Sequence, residues 1–123
     1  MGYHPLNLGF RFLLELAGVA AFVVWGTSLI DGAWGWIVGF GIAIAAMALW
    51  GTFAVPGDES RSGKAPVPVP GWVRLALELL FFGLAVWALD RAGHPDWALW
   101  LAVAVAAHYA ISWDRIRWLI AQR

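Results

Sequence analysis

Residues 11–16, R-F-L-L-E-L, place two full charges four positions apart in a run that is otherwise almost wholly apolar. The pattern R-x-x-L-E-L returns 63 positions later as R-L-A-L-E-L at residues 74–79. The same offset, without a gap, superposes two pairs of tryptophans, Trp34 with Trp97 and Trp50 with Trp113. The sequence therefore predicts two related halves, each a helical hairpin, arranged as parallel repeats.

The composition of the 123 residues is that of a membrane protein. The chain is 62% hydrophobic and 13% charged, with a mean hydropathy of +0.72, whereas soluble domains are about half apolar and a quarter charged. Tryptophan is enriched where hydrocarbon meets lipid headgroups, and the chain has ten. An all-α integral membrane protein is expected, with eight tryptophans as interface anchors: Trp34, Trp36, Trp50, Trp72, Trp97, Trp100, Trp113 and Trp118.

Several function classes are disfavoured by what the sequence lacks. With no cysteine there is no thiolate metal site and no thiol nucleophile. A formal net charge of zero gives no basic face for nucleic acid. No H-E-x-x-H motif and no glycine-rich phosphate loop is present, and the three histidines are not at ligand spacing. We expect no catalytic residue, metal or cofactor, and a non-enzymatic protein.

Four apolar runs, each of roughly 20 residues, are long enough to cross a hydrocarbon core of about 30 Å. A polar arm at residues 1–8, where Pro5 resists helix and Asn7 is the N-cap, precedes the first run. The whole chain, residues 1–123, forms one transmembrane domain. Its expected parts are helix one at 9–30, helix two at 33–55, a cytoplasmic proline-rich linker at 56–70, helix three at 71–92 and helix four at 97–118.

Helix four is expected to leave the membrane near Trp113 and to continue as a basic surface segment, anchored at the headgroups by Trp118. Loops with an excess of Lys and Arg remain in the cytoplasm. Only Arg91 lies on the other side of the four predicted spans. Both termini should therefore be cytoplasmic, with the basic residues Arg11, Arg61, Lys64, Arg74, Arg115, Arg117 and Arg123.

Small residues recur every four positions in two helices, which lets helix backbones approach closely in lipid. The stripe in helix two is Gly35, Gly39 and Ala43, and that in helix four is Ala98, Ala102, Ala106 and Ala110. Both are expected to be packing faces. The two stripes could meet each other within one chain, which is the interpretation we favour, or each could meet a second copy of the chain.

The charged residues of the repeated motif should face inward, because charge deep in hydrocarbon costs about 2.5–3.5 kcal/mol. Each Arg can reach its own Glu one turn further on or the matching Glu of the other half. In the second case, a parallel two-fold arrangement, Glu15 accepts from Arg74, while Glu78 accepts from Arg11. Helix four adds His108, with Ser112 and Arg115 on the same face and Tyr109 facing elsewhere.

Two interpretations of these charges remain open. In the first, they are structural and fix how the hairpins dock. In the second, Glu15, Glu78 and His108 bind a proton, a cation or a small cationic solute, since carboxylates held close together titrate differently from isolated ones.

The two R-x-x-L-E-L copies, W-G-T-F-A-V-P at residues 50–56, the proline-rich linker and R-x-x-L-E-L-x-x-F-G at residues 74–83 resemble the YrdB-like family. Its members are small four-helix bacterial membrane proteins built on a domain of unknown function, and the likeness covers nearly the whole chain. The resemblance implies a multi-pass protein of the bacterial cytoplasmic membrane and supplies no activity.

The expected function is that of a structural, accessory or self-associating module. Its partners would be the lipid bilayer and either further copies of the chain or a larger membrane assembly, without nucleic acid. The alternative is a small transporter or ligand-binding protein.

Overall fold

Five helices make up most of the computed structural model, which describes residues 3–58 and 65–122. The helices are α1 (Pro5–Leu29), α2 (Ala33–Thr52), α3 (Gly71–Arg91), α4 (Pro95–Ile111) and α5 (Trp113–Ala121). Two short strands, β1 (Phe53–Ala54) and β2 (Val67–Pro68), pair in parallel within the linker. The all-helical class predicted from the sequence is confirmed.

The first helix begins at Pro5, so the predicted polar arm is wrong for residues 5–8. Proline is favoured in the first turn of a helix, because the N–H that it lacks would have no partner there. The N-cap is His4, whose Nδ1 accepts from the N–H of Leu6 at 3.1 Å. Asn7, the predicted N-cap, is instead buried inside α1.

Three helices, α1, α2 and α3, are long and apolar enough to cross a membrane, which indicates a membrane protein. Helix α2 ends at Thr52, before the predicted Val55, because the next two residues pair with β2. The predicted linker contains the strand β2. Its basic residues Arg61 and Lys64 lie outside the described residues.

The helices alternate in direction, so that the start of α1, the end of α2, the start of α3 and the end of α4 meet. Three contacts establish this arrangement: Asn7 of α1 with Ser112 after α4, Arg11 of α1 with Glu78 of α3, and Arg74 of α3 with the main chain of Trp50 in α2. We call this region the polar end. The turns at Gly32 and Gly93 lie at the opposite end.

The small-residue stripe of helix two packs on α1 rather than on helix four. Gly35, Gly39 and Ala43 are buried, and a Cβ at Gly39 would overlap the main chain of Val23 in α1. The short turn at Gly32 accounts for this, since it places α2 directly beside α1. In the stripe of helix four Ala98 is buried and Ala102 is half-buried, but Ala106 and Ala110 are exposed.

Helix four is divided at Ser112, and its C-terminal part stays against the protein. The backbone of Ser112 departs from helical geometry, with φ −91° and ψ 24°, and α5 then packs along the first two turns of α3. Leu119 of α5 is fully buried, and a Cβ at Gly71 of α3 would overlap its carbonyl oxygen. The Gly71 N–H also donates to the carbonyl of Gln122 at 2.8 Å. The predicted basic surface segment is therefore wrong for the buried Arg115.

Of the other two predicted members of that segment, Arg117 is exposed and Arg123 lies outside the described residues. Most of the predicted interface tryptophans also have exposed side chains, as an anchoring role requires. Trp118 is half-buried, and Trp50 is only 8% exposed, so its predicted role is wrong. The exposed tryptophans are Trp34, Trp36, Trp72, Trp97, Trp100 and Trp113.

Candidate functional site: a buried arginine–carboxylate cluster

Glu78 is the centre of the polar end, and its side chain is fully buried. Its Oε1 accepts from Arg11 Nη1 at 3.2 Å, from Arg115 Nη1 at 2.8 Å and from Tyr109 Oη at 2.8 Å. Its Oε2 accepts from Arg11 Nη2 at 2.9 Å, from Arg74 Nε at 2.8 Å and from Arg115 Nη2 at 2.8 Å. A carboxylate has about four lone-pair sites, so these six contacts saturate it.

The donors come from four helices, so Glu78 ties most of the fold together. Arg74 lies one turn before Glu78 on α3, the spacing at which helical side chains meet. Arg11 comes from α1 and Tyr109 from α4, and Arg115 comes from α5. The predicted pairing of Arg11 with Glu78 across the two motifs is confirmed.

Arg74 also joins the end of α2 to the cluster. Its Nη1 donates to the main-chain carbonyl of Trp50 and to that of Phe53 at 2.8 Å. The last carbonyls of a helix lack partners within the helix and carry the negative end of its dipole, so a guanidinium there is favourable. The Trp50 ring lies 4.5 Å from the guanidinium carbon of Arg74 and 5.2 Å from that of Arg11. Trp50 is therefore held between these cations and the rings of Phe81 and Phe82, whose centroids are 4.7 Å and 5.6 Å from its own.

Asp58 belongs to the same site, although the sequence placed it in a polar linker. Arg115 donates from Nη2 to Asp58 Oδ2 at 2.6 Å and from Nε to Oδ1 at 3.3 Å, and both side chains are buried. Burying a guanidinium is unfavourable on its own, and the hydrogen bonds and opposite charges of Glu78 and Asp58 offset that cost.

Glu15 lies at the edge of the site. Its Oε1 is 3.3 Å from Arg11 Nε, one turn earlier on α1, and its side chain is 21% exposed. Of the two predicted partners of Glu15, the structure has Arg11 of its own motif and not Arg74, because Arg74 donates to Glu78 and to the end of α2.

Three guanidinium groups meet three carboxylates here, so the formal charges cancel. We call the group the arginine–carboxylate cluster; it consists of Arg11, Glu15, Asp58, Arg74, Glu78 and Arg115.

A second buried polar group lies beside the cluster. The Nδ1 of His108 is 3.1 Å from Asn7 Oδ1, and Asn7 Nδ2 donates to Ser112 Oγ at 2.7 Å. His108 and Ser112 are thus close together, as expected, but they contact Asn7 rather than the carboxylates. The Nε2 of His108 is buried and has no hydrogen-bond partner in the described part of the chain.

Tyr109 was predicted to face away, but it donates to Glu78. Neighbouring residues on a helix point about 100° apart. Because α4 packs against both α1 and α3, His108 reaches α1 while Tyr109 reaches α3. The sequence carried a signal for this placement, namely a polar hydroxyl adjacent to a buried histidine in an apolar run.

The polar atoms of the cluster are occupied by one another. Among residues 3–58 and 65–122, no group of three or more His, Asp or Glu side chains could hold a metal ion. The oxygens of Glu78 already accept from protein donors, and the arginines have carboxylate partners. Such a network can join helices and fix their register.

Comparisons with known proteins place the chain in a family. The family model described as "Protein of unknown function (DUF2568)" matches residues 9–106. A Bacillus subtilis (strain 168) protein, "Uncharacterized protein YrdB", is 37% identical over 116 residues, which cover 94% of each chain. No solved structure matches. The chain belongs to the DUF2568 family, together with YrdB.

Proposed function

We propose that the protein is a non-enzymatic module of the bacterial cytoplasmic membrane, structural or accessory in role or self-associating. It is an integral four-helix bundle of two parallel-repeat hairpins, with both ends cytoplasmic. The arginine–carboxylate cluster fixes how the hairpins dock.

The lengths of the helices support a fourth span. Helix α4 has 17 residues, about 25 Å at 1.5 Å per residue, which is near the lower limit for crossing hydrocarbon. Helix α5 adds nine residues. It runs antiparallel to α3, as α4 does, and therefore continues in nearly the direction of α4. Together they reach from the turn at Gly93 to the headgroup layer at the polar end.

The distribution of basic residues supports the orientation. Arg11, Arg74, Arg115 and Arg117 lie at the polar end, and Arg91 lies at the other. The positive-inside rule then places the polar end in the cytoplasm.

The observation that supports a structural role is that protein donors occupy all the acceptor sites of the Glu78 carboxylate. A binding or transport site needs a carboxylate that can exchange a protein partner for an ion. Here six donor contacts hold two oxygens that solvent does not reach. A buried charge that loses its partners destabilises a protein strongly, so the resting state of this site opposes exchange.

The test is a flux assay on the full chain in liposomes. We expect no proton or monovalent-cation flux above protein-free vesicles, measured with an internal pH dye under an imposed gradient. The Glu15→Gln variant, which leaves Glu78 intact, is expected to behave like the wild type. A protein-dependent flux that Glu15→Gln abolishes would refute the structural role.

One observation favours the second candidate, a small transporter or ligand-binding protein. The unpartnered Nε2 of His108 is a free polar atom near Glu78. In that case His108, Glu15 and Glu78 would bind a proton, a cation or a small cationic solute. His108→Phe decides between the two: loss of flux from an otherwise stable protein supports the transporter, and an unchanged absence of flux supports the structural module.

A further inference from the structure

The outward face of α5 combines one cation with large apolar side chains. Trp113 is 60% exposed and Ile120 is 57% exposed, and Arg117 between them is exposed as well. Positions i, i+4 and i+7 lie on one side of a helix. The opposite side of α5, with Arg115 and Leu119, is buried against α3. We call Trp113, Arg117 and Ile120 the α5 outer face.

This face lies at the level where α3 begins. Arg115 contacts Glu78, two turns into α3, and Leu119 contacts Gly71 at its first residue. The exposed Trp72 is at the same level. In the proposed membrane placement, Trp113 lies toward the hydrocarbon, and Arg117 lies one turn nearer the cytoplasm, within the headgroup layer.

Arg117 differs from the neighbouring arginines in its ion pairing. The other arginines in the described part of the polar end, Arg11, Arg74 and Arg115, are paired with carboxylates. Arg117 is exposed, has no ion pair among the described residues, and follows the exposed Asp114 by one helical turn. A guanidinium binds phosphate through two parallel hydrogen bonds.

We propose that the α5 outer face binds the headgroup of an anionic phospholipid. Arg117 contacts the phosphate, and Trp113, one turn nearer the hydrocarbon, lies among the upper parts of the acyl chains. A basic residue within the headgroup layer attracts anionic lipids, and the attraction strengthens with the negative charge of the surface. The charge of Arg117 and the exposed apolar surface beside it both fit this partner.

Native mass spectrometry of the full chain, released from detergent with equal amounts of phosphatidylglycerol and phosphatidylcholine of identical acyl chains, tests the proposal. We expect the wild type to retain phosphatidylglycerol in preference. Arg117→Gln should lower that retention about five-fold, as one basic residue near an anionic surface implies, and should leave phosphatidylcholine retention unchanged. Arg91→Gln, at the other end of α3, is the matched control and should retain lipid as the wild type does.

Three results would overturn the proposal. They are equal retention of the two lipids by the wild type, equal loss in the Arg117 and Arg91 variants, and conversion of dimers to monomers in Arg117→Gln, which would identify a second copy as the occupant. Circular dichroism of each variant confirms folding before lipid binding is compared. The proposal uses the proposed membrane placement, but this lipid measurement is independent of the flux assay, so failure of one is distinguishable from failure of the other.

Discussion

Replacing Glu78 with glutamine should destabilise the protein far more than the same change at Glu15. The two residues occupy equivalent positions in the repeated R-x-x-L-E-L motif. Glu78 is fully buried with four donor side chains, whereas Glu15 is partly exposed and has one arginine partner. The chain therefore supplies its own matched control.

The magnitude follows from the contacts of Glu78. Glutamine keeps one acceptor oxygen and replaces the other with an NH2 group. On either side of the carboxylate that group would face three N–H or O–H donors, so hydrogen bonds become repulsive contacts. Removing one partner of a buried ion pair costs about 3–5 kcal/mol. For Glu15→Gln we expect about 0–1 kcal/mol, as for exposed pairs.

The assay is reversible unfolding of the full chain in mixed micelles of increasing denaturing detergent, followed by helical circular dichroism. The free energy of unfolding is extrapolated to zero denaturant for the wild type and for both variants. Each variant is also examined by size-exclusion chromatography, so that aggregation is not mistaken for unfolding. A loss below about 1 kcal/mol for Glu78→Gln, or equal losses for the two variants, would refute the reasoning.

Three further predictions concern other contacts and use the same assay. Gly39→Ala should destabilise the protein by about 1–3 kcal/mol, because its Cβ would overlap the main chain of α1. Gly41→Ala, with no atom near its Cβ, should stabilise the protein by about 0.5–1 kcal/mol. Equal changes in stability for the two variants would contradict the packing of α2 on α1. Arg115→Gln and Asp58→Asn in a double-mutant cycle should show a coupling of about 0.5–3 kcal/mol, and strict additivity would contradict their contact. Tyr109→Phe should cost about 1.5 kcal/mol, as for a hydrogen bond to a charged group, and an unchanged stability would mean that this bond contributes nothing.

The parts of the fold that the sequence predicts are those set by local composition. Apolar runs of roughly 20 residues give long helices, because a chain in hydrocarbon must satisfy its backbone internally. Short turns at Gly32 and Gly93 give antiparallel neighbours. The contact of Arg11 with Glu78 was predictable too, since two motifs with the same spacing place complementary charges at similar depth.

The parts that the sequence did not reveal depend on contacts between distant segments. Asp58 stands in a run of polar residues that looks like a solvated linker, and Arg115 stands in a run that looks like a basic surface helix. Each is buried only because the other is there, together with Glu78. Likewise Trp50 resembles other tryptophans at helix ends, and its burial depends on groups from α1 and α3, namely Arg11, Arg74 and the rings of Phe81 and Phe82.

The unequal surroundings of the two motif copies have a specific cause. If the two halves were equivalent, Arg74 would pair with Glu15 as Arg11 pairs with Glu78. Instead, Arg74 uses Nη1 for the carbonyls that end α2 and Nε for Glu78. Arg74 Nη1 therefore donates to the end of α2 and not to Glu15. Helix α5 follows only the second hairpin, and of the two motif glutamates its Arg115 contacts Glu78. A repeated motif thus yields one saturated carboxylate and one at the edge, which is why Glu78 should determine stability and Glu15 is the one that remains accessible.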